Sequence, residues 1–373
     1  MGKRIAPERA ILFTKLSVAL TCSWPPSPFA TETQLFLFNV LWCTAFVSSI
    51  ALLLPLMAAI YEYRTHPIVL GKTVSLASAV AQVTIKMMIC RFQQKRFQLL
   101  YFEMENFCKR ATKTERMVLE RYVEKYKYFH GVYILWCFLT TAFVICGPLY
   151  SSQTFPTDAI YPFSLKYQPL KSLIFFHQSL VGFQASSGMG IDIQVALLLR
   201  YMTARFELLG MQLRNARSNS ELNACIRKHI ELLRYMKEIR LCVKYLVLAT
   251  MATTTIAVIF GSLNIIANQP LILKALYAIV VFSAAIEFFM YAWPTENLMN
   301  MNMKIGSIVY NIDWYNRNIR MQRNIFLTIL RSQRLETIRI SGIMTKLSLS
   351  HYAKFLYASI SYFNALRIMI GNP

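Results

Sequence analysis

Three ionisable residues, Lys86, Asp192 and Glu287, interrupt apolar stretches that are long enough to cross a membrane. A charged side chain inside a bilayer is costly, so each is expected to have a partner or a function. The sequence places Lys86 and Asp192 near the inner ends of their helices. This predicts a helix-end polar contact for Asp192 and a Lys86 side chain that reaches the membrane surface. Glu287 lies well inside its helix and is expected to pair with a basic group from another helix.

Catalytic and metal-binding patterns are missing from the sequence. It has no phosphate-binding glycine loop, nucleophile elbow, zinc-protease motif or paired carboxylates. The five histidines are scattered, and the eight cysteines form neither a CxxC pair nor a cluster with histidine. His177 alone lies in a predicted membrane helix, where a structural role is expected. We therefore predict no catalytic site, no metal site and no cofactor, and we predict that the protein is not an enzyme.

The composition indicates a polytopic membrane protein. Of the 373 residues, 55% are hydrophobic and 16% are charged, whereas a soluble domain carries about 25% charged residues. The net charge of +22 comes from 40 Lys and Arg against 18 Asp and Glu. These basic residues lie between the apolar stretches, a pattern typical of cytoplasmic loops, so nucleic acid is not expected as a partner and membrane lipid is.

The apolar stretches predict an all-α membrane protein with seven transmembrane helices. Basic residues collect in the N-terminus and in the second, fourth and sixth connections, which places the N-terminus in the cytoplasm and the C-terminus outside the cell. A G-protein-coupled receptor has the opposite orientation. The predicted helices cover about 35–60, 70–91, 131–150, 171–200, 244–267, 272–293 and 346–370.

The chain divides into four predicted parts along its length. Residues 1–34 form a cytoplasmic or interfacial N-terminus in which Trp24, next to two prolines, is an expected interfacial anchor. Residues 35–293 form a six-helix ligand-binding bundle. Residues 294–345 form a cytoplasmic anchor segment, and residues 346–373 a pore-lining seventh helix.

The two long inner connections, 92–130 and 201–243, carry apolar residues at helical spacing among their charges. In the second connection, Ser218 followed by Glu221 predicts a capping box at the start of a helix. Helices 3, 4 and 5 are therefore expected to extend into the cytoplasm as a packed bundle, where subunits can meet. A bundle that stabilises only one subunit is the alternative.

A ligand pocket is predicted between the outer halves of the helices. Aromatic walls, small residues and a few hydroxyls suit a small, mainly apolar volatile. Two stripes of side chains recur at helical spacing, one on helix 3 and one on helix 4. Ordinary helix packing or lipid contact is the alternative for each stripe. The candidate ligand-binding residues are Val80, Phe143, Gly147, Tyr150, Phe176, Ser179, Leu180, Phe183, Tyr277, Val280 and Val281.

The C-terminal part of the chain resembles the insect odorant receptors. The resemblance rests on the order Tyr310, Trp314, Tyr315, Arg331-Ser332-Gln333, Gly342, Leu347-Ser348-Leu349 and Ser361-Tyr362-Phe363. The proline- and aromatic-rich loop 151–170, which is expected to be an ordered, non-helical lid, is also similar to that family. The resemblance implies a seven-helix fold with the N-terminus inside and a ligand-gated cation channel in the plasma membrane of a sensory neuron. It implies no need for a G protein in gating.

The resemblance also implies where ions pass and which partners the chain has. Ser361, Ala365 and Met369 repeat every four residues on the last helix and form a narrow stripe. The family's pore-lining positions, carried over from Tyr362, are Ala365 and Met369. Arg367 would repel cations in a pore, so we expect it at the outer membrane surface or turned toward its neighbours.

Assembly as a heterotetramer with the odorant co-receptor is implied, and the short inner connection 92–130 favours an odorant-tuning subunit over the co-receptor itself. A gustatory-type receptor channel with the same fold and, in a different class, a secondary transporter remain as alternatives. A soluble tastant would require a more polar pocket than the Phe and Tyr stripes suggest. A transporter is disfavoured because no ionisable pair is repeated across inverted halves.

Overall fold

The computed structural model of the chain describes residues 5–150, 153–165, 167–266, 270–333, 338–339 and 346–371. Of these, residues 67, 68, 150, 273, 366 and 369–371 are described by their backbone alone. Within these ranges the regular structure is helical and contains no strand. The predicted all-α fold is therefore confirmed.

The helices are numbered in chain order. The first six are α1 (Pro7–Ser17), α2 (Glu32–Glu62), α3 (Pro67–Phe92), α4 (Gln94–Arg110), α5 (Lys113–Ile145) and the single turn α6 (Gly147–Tyr150). The others are α7 (Leu170–Asn215), α8 (Asn219–Ile266), α9 (Leu271–Tyr310), α10 (Ile319–Gln333) and α11 (Leu349–Gly371). The seven predicted membrane helices coincide with α2, α3, α5, α7, α8, α9 and α11.

Helix α7 is the centre of the bundle. By length and composition, α2, α3, α5, α8 and α9 are apolar enough to cross a membrane, whereas α7 does not meet that criterion. Its position explains this difference, because its polar side chains Gln178, Gln184, Asp192 and Gln194 are buried against other helices. A helix that is surrounded by protein does not need the uniformly apolar surface that lipid demands.

Three helices continue beyond their predicted membrane segments, as expected. Helix α5 begins at Lys113, α7 continues to Asn215 and α8 begins at Asn219. The capping box before α8 is also present, since the Glu221 amide donates to the Ser218 hydroxyl at 3.2 Å and the Ser218 amide donates to the Glu221 carboxylate at 3.3 Å. The sequence thus predicted that these helices extend, and it predicted where α8 begins.

Helix α9 does not end at residue 293, as the sequence predicted. It continues through Pro294 to Tyr310. A proline inside a helix removes one hydrogen bond and favours a kink. Dense packing outweighs that preference here: Met290, Tyr291 and Ala292 are fully buried, and the Thr295 hydroxyl donates to the Tyr291 carbonyl at 2.8 Å. Tertiary contacts therefore stabilise α9 across the proline and beyond the predicted membrane segment.

The N-terminal segment packs into the bundle rather than lying only at an interface. The Ser187 hydroxyl of α7 donates to the Ser17 carbonyl at 2.8 Å. A Cβ at Gly190 would lie 2.9 Å from the same carbonyl oxygen, so only glycine permits this close approach. The Trp24 ring stacks 4.4 Å from the Tyr101 ring of α4. Trp24 therefore attaches the N-terminal segment to α4, and its role as an interfacial anchor stays a prediction.

Helix α11 packs on α9 through its first turns. Phe288 makes ring contacts with His351, Tyr352 and Phe355, at centroid distances of 5.1 to 6.1 Å. The Ser348 hydroxyl caps the helix by accepting from the His351 amide at 3.2 Å. Beyond these turns α11 leaves the bundle, and its large side chains Tyr357, Ile360, Tyr362 and Ile368 are exposed.

Candidate functional site

A cluster of three buried charges lies in the middle of the bundle. The Lys86 ammonium of α3 lies 2.6 Å from an Asp192 carboxylate oxygen of α7 and 2.6 Å from a Glu287 carboxylate oxygen of α9. All three side chains are at most 2% exposed. Ion pairs that are removed from water need close geometry and further hydrogen bonds to offset the loss of hydration.

Polar side chains from three helices supply those hydrogen bonds. The Tyr133 hydroxyl of α5 and the Tyr291 hydroxyl of α9 donate to Asp192 at 3.1 and 2.5 Å. The Gln82 amide of α3 donates to Glu287. The predicted pairing of Glu287 with a basic group from another helix is confirmed. The predicted helix-end contact of Asp192 is wrong, as is the extension of Lys86 to the membrane surface, because both side chains point into the bundle.

Beside this charged cluster lies a cavity of about 200 Å³. Helices α3, α5, α7 and α9 form most of its wall, with smaller contributions from α2, α8 and the loop after α6. Its lining includes Leu52, Ser75, Ala79, Val80, Cys137, Thr140, Thr141, Val144, Gly182, Ala185, Ser186, Met189, Ala257, Leu276, Tyr277, Val280, Ser283 and Ala284. These are mainly apolar and small side chains with a few hydroxyls, the composition that a small apolar ligand requires.

Polar atoms occur at both ends of the cavity. Gln82 and Glu287 belong to the charged cluster and also line the cavity, so the cluster forms its floor. At the other end, the buried Thr157 hydroxyl lines the cavity and has no hydrogen-bond partner among the described residues. An unpaired buried hydroxyl is costly. A ligand oxygen would satisfy it.

The loop after α6 covers the mouth of the cavity. The Thr157 amide donates to the Gln178 side chain at 3.1 Å, and the Ile160 amide donates to the Pro55 carbonyl at 3.1 Å. Asp158 forms an ion pair with Lys72 of α3 at 2.6 Å. The described part of the loop, 153–165 with residues 167–169, is non-helical and attached to three helices, which agrees with the predicted ordered lid.

Three of the predicted pocket residues line this cavity. Val80 and Tyr277 are buried, at 7% and 6% exposure, and Val280 lies beside Tyr277 on the same face of α9. Val281 does not line the cavity; it faces Gly261 of α8, where a Cβ would lie 2.9 Å from its methyl group.

The predicted stripe on α7 points away from the cavity. Phe176, Leu180 and Phe183 are 67%, 41% and 37% exposed, and the Ser179 hydroxyl donates to the Phe175 carbonyl of its own helix. The opposite face, with Gln178, Gly182, Ala185, Ser186 and Met189, lines the cavity instead. The interpretation of the stripe as cavity wall therefore does not fit the structure. Bulky apolar residues cover the outer surface of the helix, whereas small and polar residues pack inward.

The candidate residues of the third predicted membrane helix, which corresponds to α5 and the turn α6, also lie away from the cavity wall. Phe143 is 37% exposed, and Gly147 begins the turn α6 without lining the cavity. The Tyr150 side chain lies outside the described residues. Neighbouring positions on α5, among them Thr141 and Val144, line the cavity instead. The spacing of the stripe was helical, but spacing does not show which face of a helix turns inward.

The candidate pore residues lie on the part of α11 that extends beyond its contacts with α9. Ser361 and Ala365 are exposed in the single chain. The Met369 side chain lies outside the described residues. Among the described residues, histidine, cysteine, aspartate and glutamate form no group that could hold a metal ion.

The sequence matches the family model described as 7tm odorant receptor over residues 66–360, which is most of the chain. The chain belongs to the 7tm odorant receptor family. This is a family of ligand-binding sensory receptors rather than enzymes, so the prediction that the protein is not an enzyme is confirmed.

Curated odorant receptors match part of the chain. It is 26% identical to odorant receptor Or2 of Anopheles gambiae over 153 residues, and 22% identical to putative odorant receptor 85d of Drosophila melanogaster over 151 residues. The matches span 39% and 36% of those two receptors. The sequence resemblance to insect odorant receptors is therefore confirmed.

Solved structures of one odorant receptor match the whole fold. The olfactory receptor OR5 of the insect Machilis hrabei superposes with a TM-score of 0.81 at 13% identity, covering 96% of this chain and 97% of that receptor. Its structure in complex with eugenol superposes with the same TM-score at 14% identity. At such identities the likeness establishes a shared fold for this odorant receptor chain.

Proposed function

We propose that this odorant receptor chain is the odorant-tuning subunit of a ligand-gated, non-selective cation channel. The observation that carries the proposal is the enclosed cavity, with the charged cluster as its floor and the attached loop over its mouth. Its size and its mainly apolar lining favour a small volatile. The Machilis hrabei receptor, which shares the fold, has been solved with eugenol.

The ligand that we propose is mainly apolar and carries an oxygen. Apolar side chains supply most of the contact area, and the unpaired Thr157 hydroxyl can donate to a carbonyl, ether or hydroxyl oxygen. Binding favours the open channel only to the extent that the ligand contacts the open arrangement better than the closed one. The attached loop and the charged cluster are the parts of the cavity that can differ between the two arrangements.

The distribution of basic residues supports a plasma-membrane topology in which the cavity lies toward the outer surface and the C-terminus is extracellular. The exposed part of α11 supports assembly around a shared pore. A single chain leaves this large apolar surface uncovered, which is unfavourable unless lipid or other subunits contact it. We propose a heterotetramer with the odorant co-receptor in the membrane of a sensory neuron, without a G protein.

Recording of current from cells that express the chain with and without an odorant co-receptor tests this function. A panel of oxygen-containing volatiles should evoke inward cation current only with both subunits, and the current should persist when G-protein signalling is blocked. Currents evoked by sugars but not by volatiles would favour a gustatory-type channel. Saturable uptake without current would favour a transporter.

Substitution of Ala365 tests the proposed pore face. Ala365→Glu would place a carboxylate on an exposed face of α11, and a ring of carboxylates favours cations, particularly divalent ones. We expect a shifted reversal potential in calcium-rich solution with unchanged odorant potency. Ala365→Gln, which adds nearly the same bulk without the charge, is the matched control. Wild-type reversal potentials for Ala365→Glu would place that residue away from the pore.

A further inference from the structure

A second, larger cavity of about 560 Å³ lies at the opposite end of the bundle from the loop-covered cavity. Helices α1, α5 and α7 form its wall, with α4 behind them. Its lining is mainly apolar and includes Ile11, Leu119, Val132, Leu135 and Leu197. Val132 and Leu135 stand at its rim and are 63% and 59% exposed. An apolar cavity with an exposed apolar rim opens toward lipid rather than toward water.

One charged side chain in the wall lacks the partners it needs. Arg200 of α7 is 5% exposed, and its Nε and Nη2 atoms have no hydrogen-bond partner within the part of the chain that the structure describes. Its guanidinium stacks on the Tyr126 ring with the central carbon 3.6 Å from the ring centroid, and its Nη1 atom contacts His130 Nε2. Aromatic stacking leaves the edge of the guanidinium, which carries the donors, free to bind an oxyanion.

The described residues around Arg200 supply no counter-charge. No aspartate or glutamate is among the described residues that line the cavity, whereas Arg9 and Lys127 are. Glu207, two turns beyond Arg200 on α7, already forms an ion pair with Arg121 and accepts a hydrogen bond from the Tyr122 hydroxyl. A buried guanidinium without a counter-charge is strongly unfavourable, so an anion from outside the chain would stabilise this arrangement.

We propose that this cavity binds an acyl lipid whose oxyanion head group carries a net negative charge, with the head group on Arg200 and one acyl chain along the apolar wall. The proposed topology places the cavity at the inner surface of the membrane, where anionic head groups are abundant. A phosphate of an anionic phospholipid and a carboxylate of a free fatty acid share the required chemistry. Both accept hydrogen bonds from the edge of a guanidinium.

Photo-crosslinking of the full receptor in lipid nanodiscs tests this site without odorants or current. The probes carry a diazirine on a palmitoyl chain and are phosphatidylglycerol, zwitterionic phosphatidylcholine and free palmitic acid. Peptide mass spectrometry then reads which segments are labelled. We expect phosphatidylglycerol, palmitic acid or both to label cavity-lining peptides of α1, α5 and α7 about tenfold more than phosphatidylcholine, the factor that corresponds to one charge-assisted hydrogen bond.

Two variants separate the head group from the acyl chain. Arg200→Gln should reduce anionic labelling to the phosphatidylcholine level, while Arg205→Gln, which removes a guanidinium already bound to Tyr201 one turn away, should not. Gly131→Leu should fill the cavity and reduce labelling by every probe. A Cβ at Gly131 meets no atom within 4 Å, so this variant should fold even if Arg200→Gln does not.

The outcomes decide both the site and the source of the anion. Labelling by only one anionic probe identifies that lipid class as the occupant. Equal labelling by the anionic probes and phosphatidylcholine, or labelling that neither Arg200→Gln nor Gly131→Leu changes, would overturn the proposal. Because the readout is lipid labelling, failure here is separate from failure of the proposed odorant function.

Discussion

Lys86→Met should lower the stability of the protein more than any other single substitution considered for this chain. The change leaves Asp192 and Glu287 buried without a cation, and breaking a buried ion pair from one side costs about 3–5 kcal/mol. We expect little protein at the cell surface and a markedly lower melting temperature in detergent, measured by fluorescence-detected size-exclusion chromatography.

Two further variants test whether the loss of stability comes from the charged cluster. Lys15→Met is the same substitution in a half-exposed pair with Glu105, and it should cost about 1 kcal/mol or less. The triple variant Lys86→Met/Asp192→Asn/Glu287→Gln removes all three charges and should recover much of the lost surface expression, because neutral groups can remain hydrogen-bonded to Tyr133 and Tyr291. A wild-type melting temperature for Lys86→Met alone would contradict the central role of the ammonium group.

Val280→Trp should abolish most of the odorant response. Val280 lines the loop-covered cavity, and an indole at that position occupies space that a small ligand needs. We expect the concentration for half-maximal current to rise by at least about tenfold, equivalent to roughly 1.4 kcal/mol of binding free energy. Surface expression should change little, since the added ring enters an empty volume.

Phe176→Ala is the informative comparison for that result. The sequence predicted Phe176 as a pocket residue, but the structure leaves it 67% exposed on the outer face of α7. We therefore expect its dose–response curve to match the wild type. If Phe176→Ala changed potency while Val280→Trp did not, the ligand would bind outside this cavity and the proposed site would be wrong.

The sequence predicted the elements of this fold better than the directions in which their side chains point. Lengths of apolar stretches located the seven long helices, and Ser218 with Glu221 located the start of α8. The apolar stretch predicted a membrane helix that ends at residue 293, whereas α9 continues to Tyr310, because residues beyond the stretch, such as Ile305 and Val309, are buried against other helices. Local rules were sufficient where local interactions determine the structure.

Predicting the residues of the site requires knowing which face of each helix turns inward, and the sequence of a single helix does not contain that information. Of the predicted ligand-binding residues, Val80, Tyr277 and Val280 line the loop-covered cavity, whereas the aromatic residues of the α7 stripe lie on the opposite face of that helix. In a membrane protein both faces of a helix can be apolar, so periodicity alone does not distinguish lipid from core. The small residues Gly182, Ala185 and Ser186 on one face of α7 were the signal that could have identified the inward side.

The uninterrupted course of α9 has a mechanical consequence. Its 40 residues form a rod of about 60 Å, with the ligand cavity near one end and the contacts to α10 near the other. A tilt of only about 3° around one end of such a rod would carry the opposite tip through roughly 3 Å. Phe288, which contacts α11, directly follows Glu287, which lines the binding chamber. A shift of α9 at the chamber would therefore reach the helix proposed to line the pore with almost the same amplitude, whereas the contacts with α10 at the far tip would move farthest.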